Sequence, residues 1–578
     1  MIILKTLTTF TARTGNDGSG KVSLTKAHRP VLNQLKPALP PNGLIMDKRI
    51  IFASLLTLSS IILSAQVNPG DPWFGESCTS IMVGKMASAD GSVITAHTCD
   101  GNYRTWVRME KAADHADTAL HTVYKGTLHT ETPDDMRKVT VAGRIPQVKH
   151  TYAYLNTAYP SLNEKQLAMG ETTFVGPDTL VNKKGMFLIE ELQRVALQRC
   201  DNARDAIRLI GELIKEYGYG DYGECITIAD TREVWQMEIL GEGKERIGGV
   251  WAAQRIPDDH VGISANISRI GIIDFNNPDF FMASPNVKDV AREFGLWDGK
   301  EPFKFWKAYA NAEKPFKIRE FFVLSTLAPS LNLSMDMDEL PFSVKPEKKV
   351  SMEVLTELYR SSYEGSSYDM TRHVKMVNTR YDKKRNVIGR DTIVSPVANP
   401  WLTGDMRNTL NYIAPGTVDF QRTVSVSWCS YSHITVLRDW LPDEVGGVSW
   451  FSFDNPGQSP RVPIYAGVKQ VPAKWEVCGQ KSCRGDAALW SYRKANKLAT
   501  VSWGKTKKHM LEQVLGFEAK ARLEMPALEK SAVELIKTGK NEEARALLTN
   551  YSNDFSGATM QRWAAMEAKF WEMFGRGF

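Results

Sequence analysis

The chain has 578 residues, 43% hydrophobic and 24% charged, with a net charge of +6 at neutral pH. Those fractions belong to globular proteins and exclude a disordered, collagen-like or multi-span membrane chain. The positive excess sits in residues 1–45, which hold six Lys/Arg against one Asp, so the remainder is nearly neutral and shows no footprint for nucleic acid.

Residues 1–45 have no apolar period and carry Gly, Ser, Thr and Pro clusters; they read as an N-terminal extension without a structural role. Met46-Asp47-Lys48-Arg49 then opens sixteen uncharged residues, Ile50 to Ala65, ending in Leu63-Ser64-Ala65. A basic start, an apolar stretch and a small-residue end predict a signal peptide over 46–65, and its internal position predicts translation from Met46. The run is shorter than the roughly 20 residues of a spanning helix. The expectation is an exported protein, periplasmic or extracellular, with no stable membrane span in the mature chain. Residues 66–77, with two prolines and two glycines, read as a short propeptide.

Cys78 to Gly84 and Val93 to His97, joined by a turn at Ala89-Asp90-Gly91-Ser92, predict a β-hairpin that starts at Cys78. Leu188 to Tyr217 has helical spacing, with Asp201-Asn202 placed to cap a second helix. Strands are expected at Cys225–Ala229, Val234–Leu240, His260–Ala265, Val424–Trp428 and Ile434–Leu437. The tail predicts helices at Met510–Leu523, Leu528–Lys537, Glu542–Asn550 and Ala558–Phe574. Strands and helices mix without βαβ alternation, so the class is α+β, with a catalytic domain over 78–500 and a helical C-terminal region over 501–578 packed on it. No GxGxxG supports a dinucleotide.

The seven cysteines form no CxxC, and no HExxH or zinc-spaced cluster occurs, so neither metal nor other cofactor is expected. Cys478 and Cys483 fit either a local disulfide or two free thiols. Cys78 stands apart by position, following the leader and spacer at the start of a strand. A cut between Ser77 and Cys78 would give one residue both a thiol and a free α-amine. Such an amine ordinarily titrates at about 7.7–8.0, so it can accept the thiol proton and pass one to a leaving amine.

Cys78-Thr79-Ser80-Ile81-Met82-Val83-Gly84-Lys85-Met86-Ala87-Ser88-Ala89-Asp90-Gly91-Ser92 resembles the opening of the cysteine-type N-terminal-nucleophile dipeptidases, dipeptidase A-like and related to secernins. Gly170-Glu171-Thr172-Thr173, Trp235-Gln236-Met237-Glu238, Ser264-Ala265-Asn266-Ile267-Ser268-Arg269 and Leu441-Pro442-Asp443-Glu444 continue the resemblance in order. It implies a four-layer αββα sandwich and hydrolysis of small peptides through an acyl-enzyme on Cys78, with maturation by removal of what precedes it. By the same analogy Asp100 holds the α-amine, and Asn266 donates to the thiolate or the tetrahedral oxyanion. Arg104 pairs with Asp100 or tunes the thiol, and Thr172 stands where more distant hydrolases place an oxyanion donor.

Blander readings stay open. Asp100 before Gly101-Asn102 also fits an Asx turn, Asn266 a strand end, and Glu171 an ordinary salt bridge. His97 or His260 would serve a papain-like Cys–His pair, but the sequence around such a nucleophile is missing. Two other functions remain: an acylase of the bile-salt hydrolase or penicillin V acylase type, and a non-catalytic exported binding protein. The sequence leaves a homo-oligomer open.

Overall fold

The expected hairpin is the first element of the computed structural model, which describes residues 77–577; the extension, the signal peptide and residues 66–76 lie outside the described residues. Ser77–Val83 and Val93–Asp100 pair antiparallel, with Ser77 opposite Asp100 and Cys78 opposite Cys99. The turn closes as its residues predict: Gly91 takes a positive φ of 85°, and Asp90 Oδ1 accepts from the Ser92 amide and hydroxyl at 3.0 and 2.6 Å. Every residue of both strands is buried, so the hairpin is central.

Around it builds a seven-stranded sheet in the order 343–344, 261–264, 77–83, 93–100, 429–437, 448–453, 462–465. An eight-stranded sheet runs 281–283, 249–255, 234–241, 223–229, 168–174, 162–163, 154–156, 108–110. Because side chains alternate along a strand, the first sheet has two unlike faces. Ile81, Val83, Ile94, Ala96 and Ile434 pack on Val323 and Leu324 of helix Ile318–Leu327 and on Leu355 and Leu358 of helix Met352–Arg360.

The opposite face meets the second sheet through polar groups. Ser80 Oγ donates to the Glu171 carbonyl at 3.1 Å, and the Thr95–Thr227 and Thr172–Ser264 hydroxyl pairs each lie 2.6 Å apart. Gly170 permits the approach, since a Cβ there would stand 3.1 Å from Ser80 Oγ and 3.2 Å from His97 Cβ. Beyond the second sheet lie helices Ile189–Arg199 and Ala203–Tyr217, whose Leu192, Val195, Ile207 and Ile210 join Ile226, Ile228 and Met237 in one core. Asn202 caps the second of these by accepting from the Asp205 amide, as expected. Among the described residues helices and sheets mix in one α and β architecture.

Two expectations are corrected. Val424–Trp428 is not a strand; the strand is Cys429–Leu437, and it absorbs the one expected at Ile434. Val424 and Val426 are apolar because they are buried in an irregular segment, pinned where the Ser425 amide bonds the Ser361 carbonyl at 3.0 Å. The tail forms two long helices, Trp503–Lys537 and Asn541–Phe574, in place of the four shorter ones expected. Pro526 lies inside the first, its missing hydrogen bond outweighed by packing that continues on both sides, at Ala521, Met525 and Ala532. Trp475 Nε1 donates to Ser556 Oγ at 2.8 Å and Trp563 Nε1 to Asn496 Oδ1 at 3.0 Å, fastening the tail. Among the described residues no helix is long and apolar enough to cross a membrane.

Candidate active site

Cys78 lies one residue inside the first strand and is fully buried. Its backbone N–H donates to Asn266 Oδ1 at 2.9 Å, and its carbonyl accepts from Arg319 Nη1 at 2.6 Å. The same guanidinium bonds Thr79 Oγ1 at 2.9 Å, the Ala265 carbonyl at 2.9 Å and Asn266 Oδ1 at 2.8 Å. Arg319 thus ties the strand that carries Cys78 to the residues just past strand Val261–Ser264. Asn266 holds a left-handed φ of 62°, a conformation Asn tolerates better than most residues. Its Nδ2 donates to the Thr173 carbonyl at 2.7 Å. Here Asn266 accepts from the Cys78 nitrogen, while its amide nitrogen donates to the Thr173 carbonyl.

Asp100 stands opposite Ser77, buried, and its Oδ2 accepts from Thr98 Oγ1 at 2.8 Å and Arg422 Nη2 at 2.7 Å. Arg422 Nη2 also donates to Ser77 Oγ at 2.7 Å, so one cation sits beside the Ser77–Cys78 bond. The other carboxylate oxygen, Oδ1, is buried with no hydrogen-bond partner among the described residues. The expected Arg104–Asp100 pair does not form. After Gly101 the chain turns away, and Arg104 instead bonds Asn156 Oδ1 at 2.8 Å and stacks 3.4 Å over Trp106. Thr172 gives its hydroxyl to the pair with Ser264.

Glu171 is not an ordinary salt-bridge residue. Its Oε2 lies 3.5 Å from Cys78 Sγ, its Oε1 accepts from Thr173 Oγ1 at 3.2 Å, and it makes no ion pair among the described residues. Glu224, also buried, is hydrogen-bonded to it. Burial raises both carboxyls above the usual range, and the Glu171 charge pushes Glu224 further. His97 Nδ1 donates to the Glu171 carbonyl at 2.8 Å; burial holds this imidazole neutral, lowering its pKa to about 3. His260 bonds Ser343 Oγ at 2.9 Å, on strand residues away from the hairpin's Cys78 end.

Burial, then the Cys99 thiol and the Glu171 charge, push the Cys78 thiol well above its ordinary value. With Ser77 attached, the thiol is held in its protonated form. Cys78, His97 and Glu171 each offer a ligand atom, all within 4.8 Å of one another, the one such group among the described residues. These are zinc-type ligands, but a cation there would occupy the sulfur itself. All seven cysteines are free, so Cys478 and Cys483 take the second of the two sequence readings.

The family model for peptidase family C69 matches residues 77–514, a span that contains every residue placed around Cys78. The chain belongs to peptidase family C69 and is a peptidase. It is 24% identical over 478 residues to the "Probable dipeptidase" of Latilactobacillus sakei, covering 78% of this chain and 87% of that one. It is 25% identical over 423 residues to the "Probable dipeptidase" of Salmonella dublin, covering 68% and 81%. Against the "Dipeptidase A" of Lactobacillus helveticus the identity is 22% over 421 residues, covering 69% and 77%.

The structure brings Cys78, Asp100 and Asn266 of the sequence reading together and adds Arg319, Arg422 and the Glu171–Glu224 pair, which that reading gave no role. Glu171 sits in a segment that carries the resemblance, which is the available signal. Arg319 lies in an amphipathic helix 241 residues from Cys78, and nothing in its neighbours marks it.

Proposed function

We propose that this protein is an exported dipeptidase whose nucleophile is Cys78, released as the N-terminal residue by cleavage after Ser77. The names of the relatives and the two facing sheets support the dipeptidase reading and an N-terminal-nucleophile fold. The observation that carries the mechanism is the seating of the Cys78 nitrogen, 2.9 Å from Asn266 Oδ1 and buried at the start of a central strand. After the cut that nitrogen is an α-amine already oriented beside its own thiol, with the Asp100 carboxylate one register position away.

In the acylation step the α-amine takes the thiol proton while Sγ attacks the peptide carbonyl. The C–N bond breaks, the proton passes to the leaving amine, and an S-acyl bond remains. Water, deprotonated by the same amine, then hydrolyses the thioester and restores the thiol. Maturation fits self-cleavage, because Ser77 is 4% and Cys78 0% exposed, inside a sheet where another peptidase cannot seat the bond.

The test is the intact mass and N-terminal sequence of protein recovered after export, together with dipeptide hydrolysis by wild type and Cys78→Ala. A mature chain starting at Cys78, active only with the thiol, is expected. Full turnover by Cys78→Ala, or by a chain still carrying residues before Cys78, overturns the reading.

A further inference from the structure

The buried acid pair beside the sulfur has no part in the mechanism above, where the α-amine of Cys78 handles the proton. Glu171 is 0% and Glu224 3% exposed, Glu171 Oε2 stands 3.5 Å from Cys78 Sγ, and Glu224 Oε2 has no hydrogen-bond partner among the described residues. Neither makes an ion pair among the described residues, although burying a carboxyl without a cation is costly. Asp221 adds further negative charge to this corner. Among the described residues neither Glu171 nor Glu224 has a cation paired with it, and their place beside the sulfur says where one would come from.

When a dipeptide acylates Cys78, the residue joined to sulfur carries its own free α-amine two bonds from the attacked carbon. That ammonium is held next to Sγ by covalent geometry, where Glu171 already stands. We propose that Glu171, with Glu224 behind it, is the seat of the substrate's free α-ammonium group, so the enzyme takes unblocked dipeptides and refuses N-acylated ones. The proposal rests on the dipeptidase reading and names its substrate class. The arriving ammonium supplies the missing counter-charge to the carboxyl beside the sulfur. An N-acyl group brings neither charge nor a compact donor, and leaves the pair unsatisfied.

The test compares alanyl-leucine with N-acetylalanyl-leucine on the mature full chain, its N-terminus checked by intact mass in every variant. Wild type is expected to favour the free peptide in kcat/KM by on the order of 10²-fold. Glu171→Gln alters the surroundings of the sulfur for both peptides, so the readout is the preference: alanyl-leucine is expected to lose about that factor relative to the acetylated peptide, with Glu224→Gln losing less. Equal losses on both peptides, or a wild type indifferent to acetylation, overturn the proposal.

Calorimetric binding of L-alaninamide and N-acetyl-L-alaninamide to wild type needs neither turnover nor a variant. Binding of the free amine alone supports the seat; equal binding, or binding of neither, overturns it. Failure of the dipeptidase reading shows separately, as turnover that survives Cys78→Ala.

Discussion

Between the two sheets, the groups that meet are hydroxyls, a thiol, an imidazole and two carboxyls. Where the C-terminal helices meet the first sheet's far end, they are Trp475, Phe453, Tyr492 and Trp563. Phe453 and Trp475 stack edge-on at 4.8 Å between centroids, and Tyr492 and Trp563 lie 6.0 Å apart. The second region gains from removing apolar area from water and from aromatic contacts. The first buries polar groups whose gains barely offset their desolvation, but it fixes positions through directed bonds. The chain therefore separates the part that supplies stability from the part that supplies geometry.

That contrast can be broken most sharply at the sulfur. Cys78→Ala is expected to cost on the order of 10⁴-fold or more in kcat, measured on alanyl-leucine, with little change in the urea midpoint. Asn266→Ala removes the acceptor that orients the nitrogen. A loss of about 10²-fold in kcat is expected, with incomplete maturation visible by mass.

Trp563→Ala should behave in the opposite way. It is expected to destabilise by about 3–5 kcal/mol in denaturant unfolding while kcat at low temperature stays near wild type. A variant of the tail that lost kcat without losing stability would contradict the separation.

The smallest expected effect is a pH slope. His97 is held neutral down to about 3 in the folded chain, whereas an unfolded histidine binds a proton below about 6.5. Unfolding therefore takes up a proton in this window, and the His97 contribution to stability is lost as pH falls from about 6.5 towards 3. The Glu171–Glu224 pair pulls the other way: its raised values make the folded state prefer the protonated acids, so its penalty grows as pH rises above the ordinary carboxyl range. His97→Gln should show a shallower decline in urea midpoint than wild type below about pH 6.5. An unchanged slope would remove His97 from the account.

The two regions also differ in how legible they are. The hairpin at Cys78, the turn at Asp90-Gly91 and the Asn202 cap are readable because each is set by residues a few positions apart. The tail's helical character is equally plain, but its breaks are not. Pro526 and Gly557 argue locally for ends, and only the packing of the helices overrides them.

Around the sulfur, position along the chain stops being informative. Arg422 reaches Asp100 across 322 residues and Glu171 reaches Cys78 across 93. A charged residue read alone looks like solvated surface, so Arg319, Arg422 and Glu171 carry no mark of burial. Val424–Trp428 misleads for the converse reason, since its β-branched residues are buried without being paired.

The cysteine inventory has a practical consequence. Of seven free thiols only Cys483 is exposed, and Cys78 is sealed while Ser77 remains attached. On the proposed maturation, a thiol reagent applied to the native chain should count one reactive group per molecule before cleavage and a second afterwards, at Cys78. Cys483 acts as an internal standard, and the ratio of fast to constant labelling becomes a clock for maturation that needs no substrate.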